Sequence, residues 1–228
     1  DWTVQSVRAV SPTQVQVQLA LPETGLEALF TVGMDAQKMN FGLKMTNTAK
    51  STQSWKTAFP QFGGLQLSQN ADDDYYLFPL WGGAIASQNV NLRTFYGDES
   101  AWWQMIDLFS PAGGAGLTLR NLDETGLYKG VALRKGEAPT AGGTFAREVR
   151  TSYMTEDMGW NNSLDAGPGT ALGFEYLKYT RSPGGSFAPP DAALEMHPGD
   201  WHTAMQTYAG WAHTVWKWRP FPSKLRDI

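Results

Sequence analysis

The sequence predicts an all-β protein, a large two-sheet antiparallel supersandwich that ends in one α-helix. Strand-length apolar segments recur every ~10 to 25 residues, with Gly, Pro, Asn and Asp between them. No helical period separates these segments, which argues against alternating β-α units. A convincing helical period occurs only near the C-terminal end.

The first strands show a period of two. Val15, Val17 and Leu19 alternate with glutamines, so one face of this strand is apolar and the other is polar. The segment 41–45 repeats the pattern, and the segment 26–34 is its expected partner. The chain therefore opens with an antiparallel sheet.

Later segments also have strand length and composition. We expect strands at Tyr75–Trp81, Asn91–Tyr96, Trp102–Phe109, Gly116–Leu122, Thr144–Tyr153 and Ala171–Thr180. Gly113 and Gly114, which follow Ser110 and Pro111, predict a hairpin turn before the Gly116 strand.

The C-terminal region is predicted to form the helix. One helical stripe contains Trp201, Met205, Tyr208, Ala212 and Val215. Asp200 is placed to cap the helix, and two prolines, Pro220 and Pro222, end it. We therefore expect a β-sandwich domain over 1–188, followed over 189–228 by the helix and the start of a linker to a further domain.

Composition restricts the partners. The 228 residues carry 18 Lys+Arg and 22 Asp+Glu, a formal charge of −4, and no basic run that would match nucleic acid. No apolar stretch approaches the roughly 20 residues of a bilayer span, so neither nucleic acid nor membrane is an expected partner. The chain has no cysteine, which leaves the compartment open, with an extracellular or periplasmic location favoured.

Tryptophan is abundant, with ten residues in the chain. The apolar face of a sugar ring stacks on aromatic rings, while its hydroxyls bond to acidic and amide side chains. Two segments combine these features and give the candidate carbohydrate-binding residues Trp102, Trp103, Glu99, Trp160, Asn161 and Asn162. If the first segment is a strand, its two adjacent tryptophans face opposite ways, and at least one belongs to the core.

The sequence offers little for metal or cofactor chemistry, and none is expected. The acidic run Asp72–Asp74 has no calcium-loop spacing and is better interpreted as a solvated turn. His202 and His213 are too far apart for a helix-borne zinc pair. No nucleophile elbow occurs, and a carboxylate pair of the glycosidase type stays open among 22 acids.

Four stretches carry a family resemblance. They are the Trp55–Leu65 segment, Tyr76–Pro79 with Gly82-Gly83, the Trp102–Leu119 hairpin, and His197-Pro198-Gly199-Asp200-Trp201-His202. Together they resemble the N-terminal β-domain, of the galactose-mutarotase-like supersandwich type, of certain bacterial glycoside hydrolases. The last stretch is similar to the Gly-Asp-Trp helix that leads from that domain toward a (β/α)8 catalytic barrel.

The resemblance implies that this chain has no catalytic residues, because the family keeps its acids in the barrel. It implies that Ile228 is not the natural C-terminus and that a barrel follows. The apolar residues Trp216, Trp218 and Phe221 are then expected at the interface between the two domains. A mutarotase is disfavoured because its histidines project from strands, whereas here all three follow the last predicted strand.

The leading hypothesis is a non-catalytic accessory domain of a glycoside hydrolase that shapes or flanks the substrate cleft. Its expected partners are an oligosaccharide or polysaccharide and the downstream barrel. The alternative is an autonomous carbohydrate-binding module that recognises a polysaccharide through exposed tryptophans. A small glycosidase or a mutarotase is a weaker alternative.

Overall fold

The computed structural model describes residues 1–36, 38–97, 100–136 and 168–217. This part of the chain is almost entirely β-structure. The strands, in chain order, are β1 (Thr3–Ser11), β2 (Gln14–Leu21), β3 (Leu26–Asp35), β4 (Lys38–Asn47), β5 (Gln53–Leu65), β6 (Tyr75–Phe78), β7 (Ala84–Ala86), β8 (Val90–Tyr96), β9 (Met105–Ser110), β10 (Ala115–Asn121), β11 (Lys129–Lys135), β12 (Thr170–Arg181), β13 (Ser186–Phe187) and β14 (Ala192–Pro198). One α-helix, α1 (Trp201–Val215), follows them, and a short 3₁₀ helix, Ala71–Asp73, precedes β6.

The strands form two antiparallel sheets of unequal size. The larger sheet has the order β1-β2-β3-β4-β14-β10-β9-β6-β7, with β13 paired to β4. The smaller sheet has the order β5-β12-β11-β8. The chain crosses between the sheets several times, so neither sheet forms from consecutive strands alone.

The core lies between the two sheets. Ile106, Leu108 and Leu119 come from the larger sheet, and they join Leu133 and Phe174 of the smaller sheet in one buried cluster. Neighbouring positions on these strands point to the opposite face, as the period of two requires. Thr118 and Arg120 therefore lie on the outer face of the larger sheet.

The helix α1 covers part of that outer face. It packs on β9, β10 and β14. Ala204, Tyr208 and Ala212 are its buried residues, and they contact Trp103 and Met105 in a second apolar cluster. The side chain of Asp200 accepts a hydrogen bond from the backbone N–H of His202, which confirms the predicted cap.

Most of the predicted elements are confirmed. The helix, the N-terminal antiparallel strands and the 110–116 hairpin occur where the sequence places them. The expected strand Trp102–Phe109 begins instead at Met105, because residues 102–104 form a bend. The expected strand Thr144–Tyr153 lies outside the described residues.

The prediction that every histidine follows the last strand is wrong. His197 lies on β14, which pairs with both β4 and β10 inside the larger sheet. This strand was missed because Ala192–Pro198 shows little alternation, with alanine, glutamate and methionine on neighbouring positions. The larger sheet thus continues past the expected domain boundary at residue 188.

Leu133 tests the core. It is fully buried between the sheets, so Leu133→Ala leaves a cavity and should lower the free energy of unfolding by about 2–5 kcal/mol. Met34, which is 60% exposed on β3, provides the matched control, and Met34→Ala should change stability by less than about 0.5 kcal/mol. Urea unfolding followed by tryptophan fluorescence measures both, and equal effects would contradict this core assignment.

Candidate functional site

Trp102 is the more exposed of the two candidate sugar-contacting residues that the structure describes. Its side chain is 65% exposed, in the bend that precedes β9. The bend is held to the β6–β7 connection, since the Trp102 N–H donates to the carbonyl of Pro79 at 3.3 Å and the Trp81 N–H donates to Ser100 at 2.7 Å. The indole of Trp102 is therefore presented from a fixed backbone.

Trp81 is a second exposed tryptophan on the same pair of linked segments. It is 48% exposed, and its backbone adopts a left-handed conformation, with φ at 48°. This conformation is unfavourable for a residue with a side chain and is concentrated at functional sites. Trp81 and Trp102 together form what we call the exposed tryptophan pair. No sequence pattern marks Trp81 as a candidate, because its exposure depends on the turn.

Trp103 has a different environment from its neighbour. It is 8% exposed and packs under α1 with Leu77, Met105 and Tyr208. A Cβ at Gly83 would lie 2.8 Å from the Trp103 ring, so the glycine makes room for this indole. Trp103 is therefore part of the core, whereas its neighbour Trp102 is exposed to solvent.

Other candidate residues have no description in the structure. Glu99, Trp160, Asn161 and Asn162 lie outside the described residues, as do Trp218 and Phe221. Trp216 is described and is partly buried at the end of α1, where its ring meets that of Trp211 in an edge-on contact at 5.3 Å. Its indole N–H donates to the carbonyl of Glu124 at 3.2 Å.

A buried polar network fixes the residue that follows the two tryptophans. The Gln104 side chain donates to the carbonyl of Asp123 at 2.6 Å and accepts from the Lys129 ammonium at 2.8 Å. Lys129 also donates to the Asp123 carboxylate at 2.7 Å. Burial lowers the pKa of Lys129, although the bond and charge of Asp123 oppose the effect. This network anchors the bend that carries Trp102.

His197 and Asp107 form a second polar cluster, beside the N-terminal end of α1. His197 Nε2 lies 2.9 Å from Asp107 Oδ1, which also accepts from the Thr118 hydroxyl at 2.8 Å. His197 Nδ1 lies 3.0 Å from the carbonyl of Pro198, so both ring nitrogens face acceptors. This arrangement fits an imidazolium ring. Both side chains are almost completely buried, which indicates a structural role.

The acidic run is only partly the solvated turn that the sequence suggested. Asp72 and Asp73 are exposed in the 3₁₀ helix, whereas Asp74 is buried and accepts from the N–H groups of Leu67 and Ser68. The Asp74 side chain thus closes the loop before β6.

Across the described ranges, no group of three or more acidic or histidine side chains could hold a metal ion. Among the helices of these same ranges, none has the length and apolar character needed to cross a bilayer.

The geometry defines a class of fold, an antiparallel supersandwich with one C-terminal helix, and solved structures share it. No sequence family model and no curated protein matches the chain. The GH36 alpha-galactosidase AgaB from Geobacillus stearothermophilus matches 94% of this chain with a TM-score of 0.59 and 11% identity. The galactosidase domain of the alpha-galactosidase-sucrose kinase AgaSK matches 91% with a TM-score of 0.58 and 9% identity.

An alpha-galactosidase from Lactobacillus brevis matches 93% of the chain with a TM-score of 0.53 and 10% identity. The chain spans only 28–30% of the length of these three proteins. The resemblance to a β-domain of glycoside hydrolases is therefore confirmed at the level of the fold. At a sequence identity this low, the match assigns neither the substrate nor the activity of these proteins to this chain.

The His197 cluster makes stability depend on pH. Burial lowers the pKa of His197, but the bonds to Asp107 and Pro198 and the nearby negative charges outweigh it, so the pKa is raised. A raised folded-state pKa stabilises the protein fully below the unfolded value of about 6.5, and this contribution is lost as pH rises through the folded value. Urea unfolding should therefore show a gap between wild type and His197→Gln that narrows toward alkaline pH.

The Asp107→Asn variant tests whether the charge of Asp107 raises the pKa of His197. It keeps the shape of the side chain but removes the charge, so an NMR titration should give a lower His197 pKa than in the wild type. A His197 pKa that is equal in wild type and Asp107→Asn would contradict the assignment.

Proposed function

We propose that this chain is a non-catalytic accessory domain of a glycoside hydrolase, and that it flanks the substrate cleft of a catalytic barrel that follows it in the same polypeptide. The observation that carries the proposal is the fold match, in which more than nine-tenths of this chain matches less than a third of each alpha-galactosidase. A chain of this kind corresponds to one domain of such an enzyme. Helix α1 and residues 216–228, with the interface candidates Trp216, Trp218 and Phe221, would then lead to the barrel.

The buried acids support a role without catalysis. Glu175 is paired with Arg93, and Asp123 is paired with Lys129. Asp74 and Asp107 are also bonded within the fold, and all four are at most 2% exposed. An acid/base pair must reach a glycosidic bond. These four acids are buried and bonded within the described fold, so none of them is placed for hydrolysis.

Hydrolysis by the isolated chain tests the first part of the proposal. GH36 alpha-galactosidase AgaA variants have been solved with stachyose and with raffinose, so alpha-galactosides are the first substrates to test. We expect no release of nitrophenol from an aryl alpha-galactoside by this chain, and release by the parent polypeptide. Steady turnover by the isolated chain that a single carboxylate substitution abolishes would overturn the proposal.

Direct sugar binding is the second candidate function, and the exposed tryptophan pair favours it. Stacking one sugar face on an indole buries about 100 Å² of apolar area, worth roughly 2.5 kcal/mol before the cost of association. The net affinity should therefore be weak, roughly millimolar to high micromolar. The stacking surface would come from Trp102, with Trp160 as the other candidate that the sequence suggests.

Trp102→Ala should reduce oligosaccharide binding about tenfold or more, because it removes the more exposed indole of the exposed tryptophan pair. Trp2 is the matched control, since it is 42% exposed at the start of the chain, far along the sheet order from β9. Titration calorimetry compares Trp102→Ala and Trp2→Ala with the wild type. Equal affinities in all three proteins would place the sugar site elsewhere.

A further inference from the structure

A groove crosses the outer face of the larger sheet over β2, β3 and β4. It lies on the same face of the sheet as α1. Asn40 in the groove is paired with Ala193 on β14, so the two residues point to the same face. Glu195, two residues after Ala193, points to that face as well and accepts a hydrogen bond from Arg120 beneath the helix. The helix packs farther along the sheet, on β9, β10 and β14. The groove has a volume of about 480 Å³, within the range of small-ligand sites.

Two glycines form the floor of the groove. Gly42 is paired with Thr31 and Gly33 is paired with Asn40, so the two glycines lie diagonally on adjacent strands. A Cβ at Gly42 would lie 3.0 Å from the Asp191 carboxylate, whereas a Cβ at Gly33 would meet only the Thr13 carbonyl, at 3.9 Å. Glycine inside a strand weakens it and is typical of a place where another group approaches the backbone closely.

Polar side chains form much of the walls, with Leu29 and Ala188 beside them. Gln14, Gln16, Thr31, Asn40, Lys44 and Asp191 line the groove. The single lysine and the single carboxylate balance in charge. Burial raises the pKa of Asp191, in keeping with a partly enclosed carboxylate. Only one of these side chains has a described side-chain partner, since Arg8 donates to Gln16 Oε1 at 3.0 Å.

The backbone under the groove is already paired. Strand β2 is bonded to β1 and β3, and β4 is bonded to β3, β13 and β14. A peptide that recognises a sheet by adding a strand needs a free edge, and this groove offers none. Recognition must come from the side chains. Amides, a hydroxyl and one carboxylate match sugar hydroxyls, which both donate and accept, and one lysine is too little for a phosphate-rich ligand.

We propose that this groove binds a short, uncharged oligosaccharide, at a site separate from the exposed tryptophan pair. The sugar ring lies over Gly33 and Gly42, and its hydroxyls bond to the amides of Gln14 and Asn40 and to the Asp191 carboxylate. The inference takes from the proposed function only that the ligand is a carbohydrate. It does not depend on a catalytic barrel or on Trp102.

Gly33→Thr tests the site without removing a polar group. The new Cβ meets only ordinary contacts, and threonine favours strands, so the variant should fold with wild-type thermal stability. The threonine side chain nevertheless occupies the space above the floor of the groove. We expect raffinose, maltotetraose, cellotetraose or xylotetraose to shift the side-chain amide NMR signals of Gln14, Gln16 and Asn40 in the wild type, and Gly33→Thr to weaken that binding about tenfold or more.

The controls separate this site from others. Gly210→Ala, in helix α1, has open space at its Cβ and should leave binding unchanged. Asp191→Asn should weaken binding while the fold is kept. The proposal is overturned if none of the four sugars shifts the groove amides, if Gly33→Thr binds as tightly as the wild type, or if a neutral tetrapeptide gives the shifts and the sugars do not. None of these outcomes bears on hydrolysis by the parent polypeptide.

Discussion

The ammonium of Lys129 holds the two sheets and the segment with the tryptophans in one arrangement. It is fully buried, and it donates to Gln104, to Asp123 and to the carbonyl of Leu127 at 2.7–2.8 Å, with the Tyr96 ring at 4.4 Å. A buried charge is tolerated only when paired and fully hydrogen-bonded. Gln104 before β9, Asp123 after β10 and Leu127 before β11 must therefore all lie around the side-chain nitrogen of Lys129. The bend at 102–104 follows from that convergence.

The unequal size of the two sheets decides which surfaces are open. The Phe59 ring on β5 meets Phe30 on β3 at 5.8 Å, so the smaller sheet extends over β3. Beyond it, Val4, Val7 and Val15 on β1 and β2 are exposed. On the opposite face, the helix packs at β9, β10 and β14, and the groove over β2–β4 lies beside it. The groove therefore exists because one short helix cannot cover so wide a sheet.

The sequence predicted the fold class because the period of two is local. The glutamines between Val15, Val17 and Leu19, and the cap at Asp200, act within a few residues of one another. Long-range features were missed. Strand β14 is identified by its partners and not by alternation, and β5 runs through Pro60, which breaks a strand pattern. For the same reason the sequence could not decide between Trp102 and Trp103, or find the pairing of His197 with Asp107.

The two surfaces that could contact sugar are independent of each other. In the sheet order, the groove centres on β3, whereas Trp102 lies directly before β9, four strand positions away. At about 4.8 Å per strand this is roughly 19 Å, and helix α1 lies over the strands between. Residues that far apart with no shared partner have nearly additive effects. A short oligosaccharide therefore occupies one surface at a time, and only a long polysaccharide that passes around the helix could couple them.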